Sequence, residues 1–274
     1  MINVVNAPPT FADAELATGV RLRYAVQGDP AGQPVVMLHG YTDSSFSFSR
    51  AMPLLDPSLR VYALDLRGHG DSERPAGGYA LGDFAADVLA FMDELELERA
   101  ALVGHCRGSL VAQRVALDAP RRVSRLVLVS SMTAARNIEG MGELRQAVES
   151  FDDAVSAEFA REFQTGTVYG PLPEEFMDGV VAESLKVPAR VWRATLAGLL
   201  EDDHAARLVE IRTPTLVLWG DRDALLTRAE QDSLSALLPA AELKVYAETG
   251  HSPQWERPER FARDLEAFVG GSRP

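Results

Sequence analysis

The chain has 274 residues, 46% of them hydrophobic and 24% charged, and its 27 Lys and Arg against 40 Asp and Glu give a formal charge of −13. That length suffices for one large α/β domain, and the composition excludes disordered, collagen-like and disulfide-scaffold classes. The acidic balance opposes a nucleic-acid binder, which needs a basic face to displace counterions, and equally opposes docking on anionic lipid.

A single cysteine, Cys106, excludes an intramolecular disulfide and Cys-rich zinc sites. The first residues, MINVVNAPPTFADAE, carry no basic stretch followed by a long apolar run. The longest apolar runs, such as VVML and LVLV, are far short of the roughly 20 residues of a membrane helix. The expectation is a soluble, cytoplasmic protein, a monomer or homodimer with no membrane or nucleic-acid partner.

In chain order, VRLRYAV (20–26), PVVMLH (34–39), RVYALD (60–65), AALVGH (100–105), RLVLVS (125–130), TLVLWG (215–220) and ELKVYA (242–247) read as strands. Several are nearly continuous Val, Leu, Ala and Met, as strands buried on both faces should be. Amphipathic stretches lie between them. LGDFAADVLAFMDELEL repeats apolar residues at helical spacing, TRAEQDSLSALLP opens on the N-cap residue Thr227, and PERFARDLEAFV opens on Pro258 in a first turn. The alternation predicts a mostly parallel sheet with helices on both faces. From 132 to 210 the strand rhythm stops and only helical patches appear, so this segment reads as a helical insertion. The core is then 1–131 with 211–274.

The densest chemistry lies in AALVGHCRGSLVAQRVALDAP (100–120). An apolar strand runs into Gly104-His105-Cys106-Arg107-Gly108 and a helix follows, the spacing of a nucleophile elbow with Cys where Ser is usual. Such a turn lifts the side chain above the sheet edge, at a helix N-terminus that favours a thiolate or an oxyanion. A nucleophile needs a base and the base an orienting acid. Asp221 and Asp223 follow one strand and Thr249-Gly250-His251 the last, so all lie on the edge that carries Cys106. Cys106, Asp223 and His251 become the expected nucleophile, acid and base, with Asp221 tying down its own turn.

The chain resembles the α/β-hydrolase superfamily over nearly its whole length. The resemblance rests on Leu38-His39-Gly40-Tyr41, Asp65-Leu66-Arg67-Gly68-His69-Gly70-Asp71-Ser72, the elbow, Gly220 to Asp223 and Gly250-His251. It implies a helical cap after the sixth strand and an oxyanion hole built from the backbone N–H groups of Tyr41 and Arg107. His39 and His69 then look structural, and neither metal nor organic cofactor is implied. Dehalogenase and epoxide hydrolase readings fail because they require Asp where Cys106 stands. Dienelactone hydrolases are similar in using cysteine.

The expected activity is hydrolysis of a small-molecule ester or lactone through a covalent acyl-enzyme. The alternatives are acyl transfer or perhydrolysis with the same triad, or a ligand-binding protein that does not turn over. Because a thiolate also leaves well, Cys106 suits esters with good leaving groups, unless it replaces a serine and leaves a slow or trapping form. Tyr41, Phe46, Phe48, Trp192 and Trp219 are the expected substrate contacts. The Arg107 side chain is expected to be solvated or cap-facing, or else to charge the pocket wall. The Glu201-Asp202-Asp203 run reads as a solvated helix face.

Overall fold

Eight strands form one sheet in the order β1-β2-β4-β3-β5-β6-β7-β8. They are β1 (Thr10–Glu15), β2 (Arg21–Gly28), β3 (Gln33–Leu38), β4 (Leu59–Leu64), β5 (Ala100–His105), β6 (Val123–Val129), β7 (Thr215–Gly220) and β8 (Ala241–Tyr246). This is a computed structural model, and it describes residues 8–270. From β4 to β8 across the sheet every pairing is parallel, whereas β2 runs antiparallel to both of its neighbours. β1 is the strand the apolar pattern misses. It lies at the sheet edge, and Phe11 on it stays 55% exposed, so its residues show no buried run.

The continuous apolar strands still obey the two-residue alternation of a pleated sheet. Val36 and Leu38, Leu102, and Leu126 and Leu128 join the core on one face. Val35 and Met37, Ala101 and Val103, and Val127 and Val129 join the core on the other. Helix α1 (Leu81–Glu94) buries Phe84, Val88, Phe91 and Met92, and α2 (Arg107–Asp118) buries Leu110, Val111 and Val115 in the first of these cores.

Between β6 and β7 the chain forms α3 (Met141–Glu149), α4 (Ala157–Thr165), α5 (Glu174–Leu185) and α6 (Ala189–Glu201) and no strand. Phe151, Phe159, Phe163 and Trp192 pack edge to face or stacked within this insertion, and Tyr41 of the β3 loop joins them. Its acidic run is not a free solvated face. Asp202 binds His204 at 2.6 Å and Arg114 of α2 at 3.2 Å, and Asp203 pairs with Arg136. The chain closes with α7 (Arg228–Leu237), capped by Thr227 as its sequence predicts, then α8 (Pro253–Glu256) and α9 (Pro258–Val269).

Candidate active site

The elbow is built by close backbone approach. A Cβ on Gly104 would lie 2.3 Å from the Gly108 carbonyl oxygen, and one on Gly108 would lie 2.2 Å from the Leu38 carbonyl oxygen. Only glycine lets the first turn of α2 sit this close to β5 and β3. Cys106 between them adopts φ 50°, ψ −118°, a conformation that costs an L-residue on the order of 1–3 kcal/mol and persists only under tertiary constraint.

His251 stands across the same cavity. Its Nδ1 lies 2.9 Å from Asp223 Oδ2, and Asp223 Oδ1 accepts the N–H groups of Leu225 and Leu226 at 2.9 and 3.0 Å. Burial by itself would raise Asp223, but the His251 charge and these donors outweigh it and hold the carboxyl below its ordinary range. Burial would likewise depress His251. The Asp223 and Cys106 charges prevail and raise it well above an ordinary histidine. The two loops meet because Gly220 has no side chain: a Cβ there would lie 2.2 Å from the carbonyl oxygens of Thr249 and Gly250. Asp221 instead accepts the Glu248 N–H at 2.7 Å, which pins its own turn.

The histidines of the other motifs hold backbone. His39 Nε2 accepts the Leu66 N–H at 3.0 Å, so its proton sits on Nδ1, which donates to the Gly40 carbonyl at 2.9 Å. The His69 ring nitrogens each lie 2.8 Å from a carbonyl oxygen, of Arg67 and of Tyr41. His105 Nε2 donates to the His251 carbonyl at 3.0 Å. Burial pushes His69 and His105 down to about 3 and His39 well below its usual value. Among the described residues neither the Tyr41 nor the Arg107 backbone N–H has an acceptor.

A cavity of about 30 Å³ is lined by Cys106, His251, Tyr41, Asp43, Gln164 and Trp255, among others. A larger groove of about 290 Å³, lined by Phe159, Glu162 and Gly166, shares Phe163, Thr167 and Leu225 with it. The insertion is bonded to the site itself. Gln164 donates to Asp43 at 2.9 Å, the His251 backbone N–H donates to the Thr167 carbonyl at 2.9 Å, and Tyr41 Oη donates to the Trp192 carbonyl at 2.6 Å.

Of the expected substrate contacts, Tyr41 alone lines the cavity that holds Cys106. Phe48 is fully buried in the core on the opposite sheet face, because residues two apart in the short turn Ser45–Phe48 point different ways. Phe46 stacks on Phe176 and borders a separate cleft. Trp192 is fully buried in the insertion. Trp219 turns its indole N–H to the Leu226 carbonyl at 3.0 Å and so braces the Asp223 loop.

One residue of the site, Asp43, carries no signal in the sequence, and the Arg107 side chain lies elsewhere than expected. Asp43, three residues after Gly40, is buried beside His105 with Oδ2 3.8 Å from Nδ1, and burial pushes its carboxyl up to about 6 despite Gln164 and Arg107. The Arg107 side chain is neither solvated nor on the pocket wall. It is fully buried, with its guanidinium 4.4 Å from the centre of the Phe84 ring. Burial pushes it down to about 10. Among the described residues no group of three or more His, Cys, Asp or Glu could hold a metal, and no helix is long and apolar enough to cross a membrane.

Known proteins agree with this architecture. The sequence profile of the alpha/beta hydrolase fold matches residues 33–258. The chain is 31% identical to the dihydrolipoyllysine-residue acetyltransferase component of the acetoin cleaving system of Cupriavidus necator, over 95% of this chain and 69% of that one. It is also 31% identical to the non-heme chloroperoxidase of Streptomyces lividans, over 92% and 96% of the two chains. A putative aryl esterase from Burkholderia cenocepacia superposes with a TM-score of 0.83 at 26% identity, covering 95% of this chain and 98% of the other. With the family profile spanning β3 to β8, the elbow and the His251 loop, the chain belongs to the α/β hydrolase fold family.

Proposed function

We propose that the protein hydrolyses small carboxylic esters or lactones through a thioester on Cys106. The observation that carries this reading is that Cys106, at its strained elbow, and His251, held by Asp223, line one cavity. His251 takes the thiol proton as sulfur adds to the carbonyl carbon. The carbonyl oxygen, now negative, accepts from the Tyr41 and Arg107 backbone N–H groups, and one such donor is worth about 100- to 1,000-fold in rate. Collapse of this intermediate expels the alkoxide, which receives the proton from His251. A water molecule deprotonated by His251 then attacks the thioester, and the thiolate leaves. Asp223 holds the ring orientation and balances the imidazolium throughout.

The thiolate competes with the alkoxide as leaving group, so aryl esters, enol lactones and thioesters suit this site better than alkyl esters. The small cavity takes the acyl portion, and the apolar groove beyond Phe163 and Leu225 takes the bulkier remainder, with the helical insertion as lid. Acyl transfer to an acceptor other than water is the second reading. It is supported by the two 31% identical relatives, whose names are those of an acetyltransferase component and a chloroperoxidase.

The test is hydrolysis of p-nitrophenyl acetate by the wild type and by Cys106→Ser, side by side, with mass spectrometry for an acetyl group on Cys106. Steady turnover by the cysteine form, not improved by serine, supports a thiol hydrolase. A nearly inactive wild type beside an active Cys106→Ser makes the cysteine a replacement on a serine-hydrolase frame. No acylation and no turnover in either protein sinks the proposal. A burst without release that a thiol, alcohol or peroxide acceptor relieves turns it into acyl transfer.

A further inference from the structure

We propose that the Arg107 side chain is a positioning residue of the oxyanion hole, holding and polarising the Gly40–Tyr41 peptide whose N–H is one of the two oxyanion donors. The proposal rests on the acyl-enzyme reading above. In a trans peptide the Gly40 carbonyl and the Tyr41 N–H belong to one rigid plane and point in opposite directions. Whatever grips the carbonyl therefore aims the N–H. The Gly40 oxygen accepts from two groups, Arg107 Nη2 at 3.1 Å and His39 Nδ1 at 2.9 Å. His39 is buried and neutral, so of these two donors the guanidinium alone brings a full charge. A charge-assisted bond is roughly twice as strong as a neutral one, and it draws electron density through the peptide so that the opposite N–H becomes a better donor.

The same residue contributes the second donor from its own backbone. The main chain of Arg107 thus supplies one N–H, and its side chain, folded back beneath the elbow, fixes the other.

The energetics point the same way. Arg107 is fully buried, and among the described residues its Nε and Nη1 have no hydrogen-bond partner. Among the described residues no carboxylate lies within ion-pair distance of it, and Phe84 offers only a ring face. A buried cation without a paired anion weakens a fold, and an apolar side chain of similar length would fill the space without that penalty. Asp43 offsets this charge only from beyond ion-pair distance, and negative charge that forms on Cys106 and the carbonyl oxygen during the reaction offsets it further.

The experiment compares wild type, Arg107→Met and Arg107→Lys; every variant retains the backbone N–H at 107. With p-nitrophenyl acetate, Arg107→Met is expected to lose about 10- to 100-fold in kcat, part of the effect of a deleted donor, with KM within about twofold. Affinity for a small aldehyde, which forms a thiohemiacetal with Cys106, falls by the same factor, while Tm stays level or rises. Arg107→Lys recovers part of the loss. Unchanged kcat and aldehyde affinity in Arg107→Met overturn the proposal. So does a joint fall of Tm and kcat that Arg107→Lys does not relieve, since that marks a structural role. Should the wild type fail to acylate Cys106, the hydrolase reading falls. The Tyr41 amide resonance then decides the present inference: a shift in Arg107→Met restored in Arg107→Lys supports it, and no shift overturns it.

Discussion

Two carboxylate–imidazole pairs lie side by side, Asp223 with His251 and Asp43 with His105; their rings are 5.2 Å apart, and both rings line one cavity. All four side chains are buried, yet the pairs are in opposite electrostatic states. His251 is raised well above its usual value and Asp223 held low, whereas His105 is pushed down to about 3 and Asp43 up to about 6. Burial opposes charge at all four. At Asp223 two backbone N–H groups and a 2.9 Å contact to the ring repay it. At Asp43 the ring is 3.8 Å away and presents an unprotonated nitrogen, because its Nε2 proton is committed to the His251 carbonyl. Fixed donors, not residue type or depth, decide which pair can carry a proton and a charge.

The largest expected effect follows from breaking the stronger pair. Asp223→Asn leaves the shape intact but favours the wrong His251 tautomer, and kcat for p-nitrophenyl acetate should fall by about 1,000- to 10,000-fold. A loss under tenfold would mean that Asp223 does not orient the base.

Breaking the weaker pair should show in stability. The folded-state pKa of Asp43 lies above its value in the unfolded chain, so its protonated form favours the fold. That contribution is complete below the unfolded pKa near 3.8 and is lost as pH rises through about 6. Asp43→Asn removes the dependence. Its stability relative to wild type, from urea unfolding, should therefore rise between about pH 4 and pH 7 and then level off. At 1.36 kcal/mol per unit the gain is on the order of 2–3 kcal/mol. A pH-independent difference would show that Asp43 does not titrate in this way.

The smallest effect is expected at the neighbouring carboxylate. Asp221→Asn weakens one bond to the Glu248 N–H at the surface and should cost about 1 kcal/mol, with kcat within a few-fold of wild type. Were it to impair kcat more than Asp223→Asn, the roles of the two residues would be exchanged.

Much of the site was legible because its causes are local. Gly104 and Gly108 announce a turn that tolerates no Cβ, and Asp223 and His251 follow apolar runs whose ends must lie on one sheet edge. The rest depended on distant contacts. Nothing within Phe46 to Phe48 says which ring enters the lower core, and the short edge strand β1 buries too little to leave a pattern. Arg107 reads as a surface cation because arginine seldom lies fully buried, and only the packing of α1, with Phe84 beneath the guanidinium, shows otherwise.

The amino-acid sequence by itself determined the α/β alternation, the insertion between 132 and 210, the elbow and the placing of Cys106, Asp223 and His251 beyond strand ends on one sheet edge, since these rest on periodicity and on backbone conformations that few residues adopt. Tertiary structure alone decided the charge states. Asp43, His105, Asp223 and His251 acquire theirs from water exclusion and from hydrogen-bond partners up to 146 residues away in the chain, as where His105 donates to the His251 carbonyl. A pKa depends on everything within a few ångströms, and sequence distance says nothing about that neighbourhood.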